Sequence, residues 1–178
     1  MALWFAGCVA IALIAFLAIT FNDLVAARNE VRTAWSNIDV QLQRRHDLVP
    51  QLARVVKGYA EHESMTLREI AELRTRAQAG GSVAARSAVE SELGAGLAQL
   101  LAVQERYPEL RASANFLDLQ RQLVAVEDAL QSARGSYNEA VRTYNTRIQE
   151  FPGVFLARPF GFAASEFFQA EDTGAVKA

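Results

Sequence analysis

The chain predicts an all-α protein: an N-terminal transmembrane helix continuing into an antiparallel four-helix bundle, followed by an aromatic-rich C-terminal tail. Three observations carry this prediction. The first 22 residues, Met1 to Asn22, hold no charged side chain. Four later segments repeat apolar residues at helical spacings, mostly alternating three and four. No segment alternates apolar and polar residues as a half-buried strand does, and no Asn-Gly or Asp-Gly dipeptide is present to close a hairpin. The expected boundaries are 1–22 for the span, 23–151 for the bundle and 152–178 for the tail.

A helix of that first length reaches about 33 Å at about 1.5 Å per residue, which matches a hydrocarbon core of about 30 Å. Two other readings compete with a retained span. A cleaved signal normally opens on basic residues, and none precedes this apolar run, although Ala10-Ile11-Ala12 resembles a cleavage site. Phe5-Ala6-Gly7-Cys8 resembles the end of a lipoprotein signal, but its cysteine sits inside the apolar stretch rather than after it. A retained span is therefore favoured, with Trp4 and Phe21 as interfacial anchors. Arg28 and Arg32 flank its C-terminal end and favour a domain on the cytoplasmic side, against a partial offset from Asp23 and Glu30.

The chain carries 18 Lys and Arg against 20 Asp and Glu, so no basic field draws in nucleic acid. Cys8 is the single cysteine, which excludes an intramolecular disulfide and a thiolate metal site.

Beyond the span, Val31, Trp35, Ile38 and Leu42 form the seam of the first helix. Arg44-Arg45-His46-Asp47 interrupts it, and Val49, Leu52, Val56 and Tyr59 resume the same phase past Pro50. A tight turn near His46 to Val49 is favoured, because a proline costs roughly 3 kcal/mol inside a helix and nothing in a first turn. One long helix kinked at Pro50 is the alternative. The second segment places Leu67, Ile70, Leu73 and Ala77 on one side and ends at Gly80-Gly81, after which Ser82 caps the third. There Val89, Leu93, Leu97, Leu100 and Tyr107 make a face, Gly94 and Gly96 admit a close neighbour, and Pro108 closes the helix. The fourth segment is the clearest, running through Phe116, Leu119, Leu123, Val126, Leu130, Ala133, Tyr137, Val141, Tyr144, Ile148 and Phe151. Such segments with short connections read as an antiparallel bundle.

The tail changes character after Pro152. Phe155, Phe160, Phe162, Phe167 and Phe168 supply five of the ten phenylalanines, with Arg158 among them, before Glu171 and Asp172 lead into a small-residue end. That density calls for burial against the bundle, the membrane interface or another subunit. If the helix directions alternate from a turn near His46 to Val49, all five rings return to the membrane face.

Several runs resemble the bacterial LemA family. They are Arg28-Asn29-Glu30-Val31, the stretch from Ala34-Trp35-Ser36-Asn37-Ile38-Asp39 through Leu48-Val49-Pro50, then Val56-Lys57-Gly58-Tyr59-Ala60 and His62-Glu63. Tyr137-Asn138-Glu139-Ala140-Val141-Arg142, Tyr144-Asn145-Thr146-Arg147-Ile148, Phe151-Pro152-Gly153, Phe160-Gly161-Phe162 and Glu166-Phe167-Phe168 resemble its C-terminal half. The likeness covers about Phe21 to Asp172, with Phe21 standing where a tyrosine is usual. It implies a membrane-anchored helical bundle in a bacterial cell membrane, with no assigned activity and no catalytic residues to carry over. One relative is linked to magnetosome membrane formation, and some relatives resemble lipoproteins.

The residues themselves offer no catalytic, cofactor-binding or metal-binding set. His62-Glu63 begins like a zinc-protease helix motif, but Thr66 stands where its second histidine belongs. His46 beside Asp47 reads as a helix-end hydrogen bond, with a pH-responsive role as the other reading. Asp39 with Arg28, Arg32, Arg44 and Arg45 reads as a solvated salt-bridging face, or else a surface for phosphates. Gly80-Gly81 lacks the lysine and hydroxyl of a phosphate loop. Trp35 and Tyr59 read as core, while Asn138 and Asn145 read as polar groups fixing register between helices or binding a partner.

The expected function is a non-enzymatic single-pass scaffold that self-assembles and organises membrane or membrane proteins. The alternative is an adaptor for a membrane enzyme such as an envelope quality-control protease. Expected partners are membrane lipid, further copies of the chain and a membrane protein, without nucleic acid or cofactors. Ala2, Ala6 and Ala10 at four-residue spacing support self-association.

Overall fold

The computed structural model describes residues 1–168; the side chains of Ala2, Leu3 and Glu61 are outside that description, as are Glu171, Asp172 and the small-residue end. Among the described residues every regular element is helical. The α-helices are α1 (Ala2–Tyr59), α2 (Ser64–Gln78), α3 (Val83–Ala102), α4 (Pro108–Ala112), α5 (Ala114–Gln149) and α6 (Gly153–Ala157), with 3-10 turns at Glu61–Glu63 and Val103–Glu105.

The turn expected at His46 to Val49 is absent. α1 passes through Pro50 to Tyr59, and the chain leaves helical geometry at Ala60, with φ −134° and ψ 65°. Proline has no N–H for the carbonyl four residues back, which here is the His46 oxygen. That oxygen accepts from Arg74 Nε at 2.8 Å. A guanidinium on α2 thus provides the donor that Pro50 lacks. Arg74→Ala is expected to lower the unfolding free energy by about 1–3 kcal/mol. The same change in a Pro50→Ala background should cost much less, because an alanine there restores the N–H. Urea titration of the four proteins checks this, and equal costs in both backgrounds would refute it.

Other boundaries follow local chemistry. Gly80 and Gly81, at φ 78° and 136°, end the α2 region in backbone that suits glycine, and the Ser82 hydroxyl accepts from Ala85 N at 3.2 Å to cap α3. Pro108 does not close the third helix. α3 has already ended at Ala102, and Pro108 opens α4, where its missing N–H costs nothing.

The chain forms two compact units. The first joins Met1–Ser36 to Ser136–Glu166. Leu24, Ala27, Val31 and Ala34 on α1 are buried in it, as are Tyr137, Val141, Tyr144 and Ile148 on α5. Phe16 meets Phe151, Arg147 reaches Asp23 and Trp35 meets Tyr137, so the two helices run in opposite senses there. Trp35 is half-buried with its ring edge-on to Tyr137, centroids 5.4 Å apart.

The second unit runs from Asn37 to Gly135 and takes up the chain again from Phe167. Its core joins Leu52 and Val56 of α1, Ile70 of α2, Leu93, Leu97 and Leu100 of α3, Leu110 of α4 and Phe116 and Leu123 of α5. Each such side chain contributes roughly 1.5–3 kcal/mol through burial. Gly96 brings α3 close to α2: a Cβ there would lie 3.4 Å from Ile70 Cγ1. Two expected core aromatics stay outside. Tyr59 is 43% exposed and Phe151 74% exposed, each just where its long helix runs out.

Candidate functional site

The start of α1 has a mean hydropathy of 2.4 over its most apolar 18 residues, of which 6% is buried. It is long and apolar enough to cross a membrane. Trp4, Phe5, Ile11 and Ile19 are among its exposed side chains.

At the end of that stretch the α5–α6 corner folds onto α1. A cis peptide joins Phe151 to Pro152, and Gly153 follows where a Cβ would sit 2.0 Å from the Arg147 carbonyl oxygen. The Phe151 ring lies 6.3 Å from Phe16 and 6.1 Å from Phe155. Phe21 takes Phe160 at 5.0 Å and Phe162 at 5.7 Å, both edge-on, and the Arg28 guanidinium covers Phe162 at 4.8 Å. Between α1 and the corner lies an open cleft of about 350 Å³. Phe168, expected at the membrane face, is buried instead in the second unit beneath Arg134, at 4.9 Å.

An extended strap from Phe162 to Glu166 runs along α5, held by side chains spaced so that they share a helix face. Tyr144 donates to the Ala163 carbonyl and Tyr137 to that of Glu166, each at 2.9 Å. Asn145 donates to the Ser165 carbonyl and accepts from its N–H, also at 2.9 Å, so its amide pairs with the strap as a neighbouring strand would. Asn145 therefore positions a backbone segment rather than setting register between helices.

Burial raises the Tyr137 phenol above its ordinary 10.0, and the Glu166 carboxylate adds to the rise. Burial also raises Tyr144, against the opposing pull of Arg28 and Arg32. A raised folded value means that the neutral phenol is favoured by folding. Its stabilisation is fully present below the unfolded value near 10.0 and is lost as pH climbs through the folded one. The expected outcome is release of the strap in strong alkali, with tyrosinate absorbance from these two rings appearing later than in the unfolded chain. Tyr137→Phe and Tyr144→Phe identify the late component.

The second unit encloses a set of charges. Arg45, His46 and Glu90 are 1%, 2% and 0% exposed. Glu90 accepts from Arg45 Nη1 at 3.2 Å and contacts His46 Nε2 at 2.8 Å, while Arg45 Nη1 also donates to the Glu90 carbonyl at 2.9 Å. Arg45 Nη2 pairs with Glu127. The expected solvated face is thus redistributed. Arg45 and His46 point into the core, Asp39 pairs with Arg86 of α3, and Arg28 stacks on a ring in the first unit. Sequence reasoning overlooked Glu90, and a signal was present: Glu90, Leu93, Leu97 and Leu100 follow a three-four-three spacing that Val89 breaks. His62 lies exposed in the 3-10 turn, beside Glu63, which pairs with Arg106 at 2.9 Å.

A family model described as the LemA family matches residues 34–178. Magnetosome protein MamQ 2 of Paramagnetospirillum magneticum is 28% identical over 92% of this chain and 70% of its own length. MamQ of Magnetospirillum gryphiswaldense is 26% identical over the same shares. Protein LemA of Metamycoplasma hominis is 26% identical over 85% of this chain and 69% of its own. The apolar start of α1 and these relatives together point to a membrane-anchored chain. With a match across most of its length, the chain belongs to the LemA family.

Proposed function

We propose that the protein is a single-pass scaffold of the bacterial inner membrane, without catalytic activity of its own, whose copies associate to organise membrane or membrane proteins. The observation carrying this reading is the uncovered apolar length of α1, where Trp4 is 83%, Phe5 74%, Ile11 69% and Ile19 62% exposed. A surface of that kind is covered by lipid, by another helix or by both. Ala6 and Ala10, one turn apart, let a second spanning helix approach closely. The second unit adds an apolar groove lined by Leu97, Ala98, Leu101, Leu123 and Val124, which a neighbouring copy can fill. Arg28 and Arg32, just past the apolar run, favour a domain on the cytoplasmic side.

Light scattering of the full chain in mild detergent tests the assembly. A discrete oligomer that persists on dilution is expected, and a monodisperse monomer across concentrations overturns the scaffold. A monomer that co-purifies with one membrane enzyme favours the adaptor reading instead.

A further inference from the structure

The cleft beside α1 combines features that the scaffold reading leaves unused. Phe16, Ile19 and Asp23 line it from one face of α1, and Arg147, Glu150 and Phe151 line it from the end of α5. Phe16 is 43%, Ile19 62% and Phe151 74% exposed, so the apolar wall is open. Phe16 to Asp23 covers about 10 Å of helix rise, enough to cross the zone of roughly 5–8 Å between hydrocarbon and water. The apolar wall therefore faces the acyl region, and the charged wall sits where headgroups lie.

The charges select among headgroups. Arg147 donates to the Asp23 carbonyl over a long 3.4 Å, which leaves most of its guanidinium free for a phosphate. Asp23 and Glu150 are exposed and carry no ion pair among the described residues. One guanidinium against two carboxylates repels an anionic headgroup and suits a zwitterion whose far end is a cation. An ammonium with N–H donors satisfies the carboxylates, whereas a trimethylated amine has none to give. A cleft of about 350 Å³ is the size of a headgroup with its glycerol, not of a whole lipid.

We propose that this cleft is a binding site for a phospholipid bearing a primary ammonium, of the phosphatidylethanolamine class. Arg147 holds the phosphate, Asp23 and Glu150 hold the ammonium, and Phe16 with Phe151 takes the start of an acyl chain. The proposal rests on the membrane-anchored reading.

The test places the full chain in bilayers containing equal amounts of phosphatidylethanolamine, phosphatidylcholine and phosphatidylglycerol, releases it, and identifies retained lipid by native mass spectrometry. Phosphatidylethanolamine is expected to be retained about tenfold over either competitor, equivalent to about 1.4 kcal/mol of preference. Arg147→Gln should abolish that enrichment, and the double variant Asp23→Asn, Glu150→Asn should shift it toward phosphatidylglycerol. Retention in bilayer proportion, or a wild-type preference for phosphatidylglycerol or phosphatidylcholine, overturns the proposal, as does enrichment that survives both variants. Flotation of all three proteins with vesicles reads anchoring separately. A wild-type chain that fails to float sinks the membrane reading itself, while floating chains without lipid preference sink the headgroup site alone.

Discussion

Glu90→Ala is expected to lower the unfolding free energy by about 3–5 kcal/mol, a large share of what holds a domain of this size together. The cost arises from what stays behind. Arg45 and His46 are 1% and 2% exposed, and both rely on the Glu90 side chain. Without it a guanidinium remains in the core with only the Glu90 main-chain oxygen and Glu127 beside it. Glu127→Gln should cost less than about 1 kcal/mol, since that side chain is 39% exposed and water replaces its partner. Replacing the whole set with Arg45→Met, His46→Leu and Glu90→Leu should be neutral or stabilising, because the desolvation cost of the charges disappears with them. Urea unfolding followed by circular dichroism checks all three. A triple variant as damaged as Glu90→Ala would show that packing volume, and not charge, holds this part of the core.

Gly153→Ala is expected to cost about 3 kcal/mol or more and to open the α5–α6 corner. A Cβ there would lie 2.0 Å from the Arg147 carbonyl oxygen, 3.1 Å from its carbon and 3.4 Å from Leu24 Cδ2. The nearest obstacles are main-chain atoms of α5, which cannot swing aside as a side-chain end can. Gly135→Ala provides the control. That glycine lies inside α5 with nothing within 4 Å of a built Cβ, and alanine should stabilise it by roughly 0.5–1 kcal/mol. Thermal melts read both changes, and Trp35 fluorescence reports on the first unit. If Gly153→Ala melts like the parent protein, the corner does not close as described.

The helical character of the chain was legible because it is written locally. Leu119, Leu123, Val126, Leu130, Tyr137, Val141, Tyr144 and Ile148 were expected on one face of α5 and are buried there. What escaped was decided by residues far away in sequence. Pro50 resembled a helix breaker because nothing near it reveals Arg74 as the donor for the His46 carbonyl. Arg45 resembled part of a solvated face and His46 a helix-end hydrogen bond because their shared partner, Glu90, lies more than forty positions on. The aromatic tail was expected to be withdrawn from solvent, but only Phe162 and Phe168 are buried while Phe155, Phe160 and Phe167 stay exposed. Its division between Phe160 and Phe162 on Phe21 and Phe168 under Arg134 depends on where α1 and α5 present their rings and guanidinium groups. The strap was missed because its attachments run to backbone atoms of a segment with no periodicity of its own.

The first unit is assembled from Met1–Ser36 and Ser136–Glu166, which fixes an order of events during synthesis. The ribosome makes α1 before the segment that covers Phe21 and Arg28, with the stretch from Asn37 to Gly135 in between. At about 5–20 residues per second that stretch takes on the order of 5–20 s to emerge. For that interval the apolar start of α1 has no protein partner from the end of the chain, and lipid is the medium that can receive it. If the apolar start of α1 inserts in a membrane as proposed above, it can do so before the strap closes, and a nascent chain halted before Phe160 would then be anchored with its first unit still open.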